Sequence, residues 1–257
     1  MAGTLSISLA LSGGAARGAF HLGVIAAMEK NKVEIAAISG TSIGAVIATG
    51  VGSGVSAFDM VRIFQSKAFQ KAFGFNYFKK GLLCIHEKAA ILSEIAPISR
   101  LEQMKIPTFI TCVDLLSGEV VRFSEGESIK LAIASSALIP IFRPISYENY
   151  LLIDGGFMDN LPISPLLEFP YPIVSVNLHP LHVTEKHTLS SSIKRALFLS
   201  FIASSQSQIA KSDLYITDST LSSFGLFTFG EIMRCFELGY RKGSESILTF
   251  MDQKSII

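Results

Sequence analysis

Cysteine is scarce in the 257-residue sequence, and the three that occur are odd in number and far apart. Cys84, Cys112 and Cys235 show no Cys-x-x-Cys spacing. They supply neither a disulfide framework nor a zinc site, and they fit a reducing compartment. Charge is sparse as well: 17% of residues are Asp, Glu, Lys or Arg, and the net charge is +1. A chain with no field of either sign is not built for nucleic acid or a strongly anionic partner. The N-terminus lacks the basic segment that opens a secretory signal, which predicts residence in the cytoplasm. No internal repeat, low-complexity tract or linker interrupts the sequence, so a single domain spanning 1–257 is expected.

What the chain has in quantity is apolar surface, at 49% of residues. Ile35 to Phe58 carries no charge at all, but Gly40, Gly44, Gly50, Gly52 and Gly54 break it up. A buried strand, turn and helix explain it better than a membrane span, which needs about 20 predominantly apolar residues. Its centre reads Gly40-Thr41-Ser42-Ile43-Gly44, a Gly-x-Ser-x-Gly pattern between a strand-like and a helix-like segment. A serine on so sharp a turn has its hydroxyl pushed clear of the sheet. The residues two before and two after must be small to pass each other. The pattern therefore predicts a nucleophile elbow with Ser42 at its tip.

Upstream, Leu5, Ile7, Leu9 and Leu11 alternate with Ser6, Ser8, Ala10 and Ser12, the period of a first strand packed on both faces. The strand runs into Gly13-Gly14-Ala15-Ala16-Arg17-Gly18, and Phe20, Val24, Ala27 and Met28 then take helical spacing. A glycine loop that opens a helix directs free amides at whatever sits before it. A dinucleotide fingerprint would need glycine where Ala15 stands, and a phosphate loop would need Gly-Lys-Ser/Thr at its end. A plain tight turn remains open. So does an oxyanion hole, which the nearby Ser42 favours.

Further along, Ser56 to Phe69 has the spacing of one helix, and Ser128 is placed to cap a helix over 129–134. Thr108–Asp114 and Val120–Phe123 read as a hairpin, with strands also expected over 150–153, 172–178 and 213–217. Long helices are expected over 190–208 and 229–249. Phe73, Phe75 and Phe78 alternate with Lys71, Lys79 and Lys80 within 69–83. This segment reads either as a peripheral membrane patch or as a cap with inward aromatics. The aromatic segment 221–229 has the same two readings. A nucleophilic serine needs a base. Asp154 is the candidate, at the end of a strand and followed by Gly155 and Gly156. An ordinary Asp-Gly turn is the competing reading.

In order, Gly13-Gly14-Ala15-Ala16-Arg17-Gly18, Gly40-Thr41-Ser42-Ile43-Gly44 and Asp154-Gly155-Gly156 resemble the three motifs of the patatin-like phospholipases. Ala134 to Pro140, Phe142-Arg143-Pro144 and Asp159-Asn160-Leu161-Pro162 also look like that family. The resemblance runs from Leu5 to about Leu178. It implies an α/β fold, a three-layer α/β/α sandwich around a mainly parallel sheet, and acyl ester hydrolysis on lipids without metal or cofactor. It places the nucleophile on Ser42, the base on Asp154 and the oxyanion donors on Gly13, Gly14 and Ala15. Arg17 and Gly18 support the loop, Gly40 and Gly44 the elbow, and Gly155 and Gly156 the base.

Two departures stand out. Ala15 replaces the third loop glycine, a mild change at an ordinary φ, and Ser12 stands where plant members often have aspartate. Two alternatives remain. The order Ser42, Asp154, His179 fits an α/β-hydrolase triad, with His182 and His187 close by. A non-catalytic protein holding an anionic lipid head group would use the same glycine loop.

Overall fold

The computed structural model describes residues 5–72, 90–181, 188–226 and 229–255. The alternating first segment is strand β1 (Ser6–Leu11), and the glycine loop leads through one 3-10 turn into helix α1 (Gly18–Lys30). Strand β2 (Glu34–Thr41) follows, running through Gly40 to the residue before Ser42, and then helices α2 (Ile43–Gly52), α3 (Ala57–Gln65), α4 (Lys67–Ala72) and α5 (Ala90–Ile95). Next come β3 (Thr108–Asp114), β4 (Val120–Phe123), α6 (Ser128–Ser135), β5 (Ile145–Tyr147) and β6 (Tyr150–Asp154). The chain closes with β7 (Ile173–Val176), α7 (Leu189–Ile209), β8 (Leu214–Ile216) and α8 (Ile232–Ser255).

All eight strands share one sheet, in which β8, β7, β1, β2 and β3 run parallel in that order. Strands β4 and β6 pair antiparallel with β3, and β5 pairs antiparallel with β6. Period two in β1 sorts its side chains between two layers. Ile7, Leu9 and Leu11 enter the main core with α1, α2 and α8. Ala10 joins a smaller core with Leu161, Ile163 and Leu166, against which Ile209 of α7 packs. The fold is thus the expected mainly parallel α/β sheet flanked by helices. The small polar residues of the second face find partners across the layer. Ser39 donates to the Pro162 carbonyl, and Ser175 pairs with Ser212.

Helix α1 is buried from Gly18 to Met28 because α8 covers its outer side. The two backbones approach so closely that a Cβ at Gly239 would lie 2.2 Å from the Phe20 carbonyl oxygen, and one at Gly23 2.1 Å from that of Phe236. Gly239→Ala is therefore expected to destabilise the fold by about 1–3 kcal/mol, the usual cost of overpacking, measured by urea unfolding. Among the described residues no helix is long and apolar enough to cross a membrane.

Several local expectations are corrected. The helix expected over 56–69 is two helices, because Ser66 is extended and its hydroxyl accepts the Phe69 amide, starting α4 afresh. Ser128 is the first residue of α6 and not its cap; its hydroxyl donates to the Ile98 carbonyl. The short strand β5 and the helix α5 had no periodic signal of useful length. The segment Phe73, Phe75, Phe78, Lys79 and Lys80 lies outside the described residues.

Candidate active site

Ser42 sits between β2 and α2 with φ 55° and ψ −124°, a backbone conformation that a non-glycine residue holds only under constraint. The constraint comes from both flanks. A Cβ at Gly40 would lie 2.2 Å from the Gly44 carbonyl oxygen, and one at Gly44 2.4 Å from that of Leu11. A hydrogen-bond chain adds to the packing. The Ser42 amide donates to Ser135 Oγ at 2.8 Å, and Ser135 donates in turn to the Thr111 carbonyl at 2.6 Å. The elbow is thereby tied to the neighbouring strand β3.

Strand pairing explains how a residue so distant in sequence reaches this serine. Residues 110–113 of β3 pair with β4 along one edge. The opposite edge is taken by β2 up to the pair Thr41 and Thr111, and from Cys112 onward by β6, with Asp154 opposite Cys112. Strands β2 and β6 therefore meet head to head on a single edge, and their last residues become neighbours. Gly155 makes the meeting feasible, since a Cβ there would lie 2.4 Å from the Thr111 carbonyl oxygen. The Asp154 carboxyl accepts the Gly156 amide at 2.8 Å, and the Ser42 hydroxyl is near enough to help lower its pKa. Asp154 is buried, and burial pushes its pKa up to about 7 in spite of those two neighbours.

The glycine loop completes the floor of the site. The Gly13 amide is engaged by Asn160, through Oδ1 at 3.1 Å and the carbonyl oxygen at 3.2 Å. Of the three expected oxyanion donors, it is thus the one whose amide is already engaged. The amides of Gly14 and Ala15 have no acceptor among the described residues, and both residues line the cleft. Ala15 has φ 50°, so its replacement of glycine is not mild; the left-handed region costs an L-residue about 1–2 kcal/mol. Arg17 is buried and ties the loop down, donating from Nε to the Phe224 carbonyl at 2.9 Å and from Nη1 to the Leu178 carbonyl at 3.2 Å. Gly18 lets α1 start directly against Ile43.

Gly14, Ala15, Ser42, Asp154 and Asn160 line one cleft of about 850 Å³, open mouth included. The rest of its lining is largely apolar. Phe64 and Phe69 come from α3 and α4, Phe198 and Phe201 from α7, and Leu138 and Phe142 from the turn after α6. Phe69 is buried and stacked on Phe64, and Phe224 is buried as well, so these aromatics of the two ambiguous segments face inward.

Residues 9–167, which hold the loop, the elbow and the Asp-Gly-Gly turn, match the family description "Patatin-like phospholipase". The chain belongs to the patatin-like phospholipase family. Lysophospholipase NTE1 of Scheffersomyces stipitis is 26% identical over 170 residues, 63% of this chain and 11% of that protein. An uncharacterized NTE family protein of Mycobacterium tuberculosis is 31% identical over 163 residues, 62% of this chain and 45% of its own length. The chain thus spans less than half the length of these relatives. In three dimensions VipD from Legionella pneumophila has the same fold, with a TM-score of 0.53 at 13% identity over 96% of this chain and 67% of that one.

Within this patatin-like site the sequence had not assigned roles to Asn160 or Ser135. Asn160 is itself oriented by α7, its Nδ2 donating to Ser205 Oγ and its amide to Ser204 Oγ. Both residues lay in the stretches noted for their family likeness, which was the available signal. Of the histidines proposed for a triad, His179 lines the cleft between Phe198 and Phe201, but no hydrogen bond joins it to Ser42 or Asp154 among the described residues. Burial drives its pKa down to about 3. His182 and His187 lie outside the described residues. Among those described, no group of three His, Cys, Asp or Glu side chains is placed to hold a metal ion.

Proposed function

We propose that the protein is a lipid acyl hydrolase that cleaves carboxylic esters through Ser42 and Asp154, with single-chain lysophospholipids as its first substrate class. The observation that carries this reading is the placement of Ser42 and the buried Asp154, whose carboxyl feels the serine hydroxyl, together on the wall of an apolar cleft. Asp154 accepts the hydroxyl proton as Ser42 Oγ attacks the acyl carbonyl. The Gly14 and Ala15 amides receive the oxyanion. Collapse of the tetrahedral intermediate expels the alcohol, which takes the proton from Asp154. Water, deprotonated by the same carboxylate, then attacks the acyl-enzyme and releases fatty acid and free Ser42. A carboxyl with a pKa near 7 is well matched to both directions of this transfer at neutral pH.

The aromatic lining favours a long acyl chain over a short polar one. The lysophospholipid assignment is supported by the name of the fungal relatives. An α/β-hydrolase triad is disfavoured because Asp154 accepts the Gly156 amide and, among the described residues, no imidazole hydrogen-bonds it. The reading is tested by incubating the protein with a fluorophosphonate and locating the adduct by mass spectrometry. An adduct on Ser42, with fatty acid release from lysophosphatidylcholine, is the expected result. Labelling elsewhere, or hydrolysis with Ser42 unmodified, would refute it.

The oxyanion assignment has its own check. A Cβ at Gly14 would lie 2.6 Å from Leu178 Cδ1, so Gly14→Val must displace the loop. The expected loss in kcat is roughly 10²–10³, the usual effect of removing one oxyanion donor. A folded Gly14→Val protein with full kcat would reduce the loop to a tight turn.

A further inference from the structure

The peptide groups of the glycine loop are not equally free. In the Ser12–Gly13 unit the carbonyl bonds His21 Nε2 at 2.8 Å and the amide bonds Asn160. In the Gly13–Gly14 unit the carbonyl accepts the Ser12 hydroxyl at 3.0 Å, while the Gly14 amide has no acceptor among the described residues. A trans peptide is planar, with its N–H antiparallel to its C=O, so whatever holds the carbonyl also aims the amide. Drawing electron density toward that carbonyl strengthens the amide as a donor, because hydrogen bonds in a chain polarise one another.

Ser12 is itself held in the donating orientation. The Leu178 amide donates to Ser12 Oγ at 2.9 Å, so the hydroxyl proton is left for Gly13. Leu178 follows β7 and Ser12 follows β1, adjacent parallel strands whose ends flank the loop. The residue is fully buried and has no place in the proton transfer between Ser42 and Asp154. We propose that Ser12 is a positioning residue for ester hydrolysis: its hydroxyl fixes and polarises the Gly13–Gly14 peptide so that the Gly14 N–H meets the developing oxyanion. The proposal rests on the reading of Ser42 as nucleophile and of the Gly14 amide as a donor.

A long-chain alkyl trifluoromethyl ketone is the suitable probe, because attack by Ser42 converts it into a tetrahedral oxyanion adduct. A saturated fatty acid, the reaction product, serves as the ground-state comparison. Ser12→Ala is expected to lower kcat about tenfold, less than deletion of a donor. KM and fatty acid affinity should stay within about twofold, and the ketone's inhibition constant should rise by the same factor as kcat/KM falls, as transition-state stabilisation requires. Ser12→Cys, with a weaker donor of similar size, should fall between wild type and Ser12→Ala. It carries the test if Ser12→Ala fails to fold. Weakened ketone binding in step with kcat/KM supports the proposal. A folded variant with undiminished ketone affinity, or one that loses ketone and fatty acid affinity equally, overturns it. A wild type that forms no ketone adduct at Ser42 instead removes the nucleophile reading itself.

Discussion

Ser42→Ala should lose ester hydrolysis by roughly 10⁴-fold or more, the scale on which serine hydrolases respond to deletion of the nucleophile. The fold should survive, because the change removes one oxygen and keeps the Cβ. The amide still reaches Ser135 Oγ, and the constraints at Gly40 and Gly44 are untouched. The substitution also takes away a hydroxyl whose proximity lowers the Asp154 pKa, so the carboxyl should become still harder to ionise. Circular dichroism checks the fold, and release of labelled fatty acid from a lysophospholipid checks the activity. Residual turnover near the wild-type rate in a purified variant would remove Ser42 from the mechanism.

Asp154→Asn should be almost as damaging to turnover, by roughly 10⁴-fold on the precedent of other active-site Asp→Asn changes, yet it should stabilise the protein above neutral pH. An amide cannot take the serine proton, but it can still accept the Gly156 amide and fill the same space. The stability effect follows from linkage. The carboxyl's ordinary value is 3.8, and burial raises it to about 7 in the folded chain. Below 3.8 both folded and unfolded states hold the proton. Between that value and about 7 only the unfolded chain ionises, so stability falls as pH rises, and above about 7 the loss is complete. The wild type therefore forgoes up to about 4 kcal/mol at pH 8, a loss that the Asp154→Asn protein escapes. Denaturant unfolding of both proteins at pH 5 and pH 8 reads the difference. The variant's advantage should be large at pH 8 and small at pH 5. Wild-type activity should run the opposite way, rising through about 7 as Asp154 ionises. The same burial lowers His21 to about 4 and His179 to about 3. Between Asp154 and these two described histidines, an acid limb near neutrality is thus the carboxylate's signature, although unperturbed values would assign it to histidine.

What the sequence made legible is what short-range pattern encodes. Alternation at Leu5–Leu11, the glycines around Ser42 and the Asp-Gly-Gly turn locate the strand ends, and all of them reach one cleft. Register between distant strands was not legible, because nothing local to Asp154 states that β6 will continue the edge that β2 leaves. Nor was the commitment of the Gly13 amide, which depends on Asn160 being held by two serines of α7. The φ of Ala15 is likewise a property of the loop's anchors, Arg17 among them, and not of alanine. Hydroxyl residues misled in opposite ways. Ser66 and Ser128 both sit at helix starts, but only Ser66 spends its oxygen on its own helix, and the competing carbonyl of Ile98 is invisible in a local window.

On the proposed mechanism, the head-to-head meeting of β2 and β6 also bears on when the protein becomes active after synthesis. The elbow is a local unit of strand, turn and helix that can form early. Its base arrives only after β3 has docked against β2 and offers its free upper edge, and the loop is secured only once Leu178 beyond β7 is in place. Contacts between such distant parts of a chain close slowly, because the intervening segment must be ordered first. A chain emerging from the ribosome thus carries its serine long before it carries its base or a fixed oxyanion loop. By that mechanism, lipid hydrolysis waits until the sheet is nearly whole.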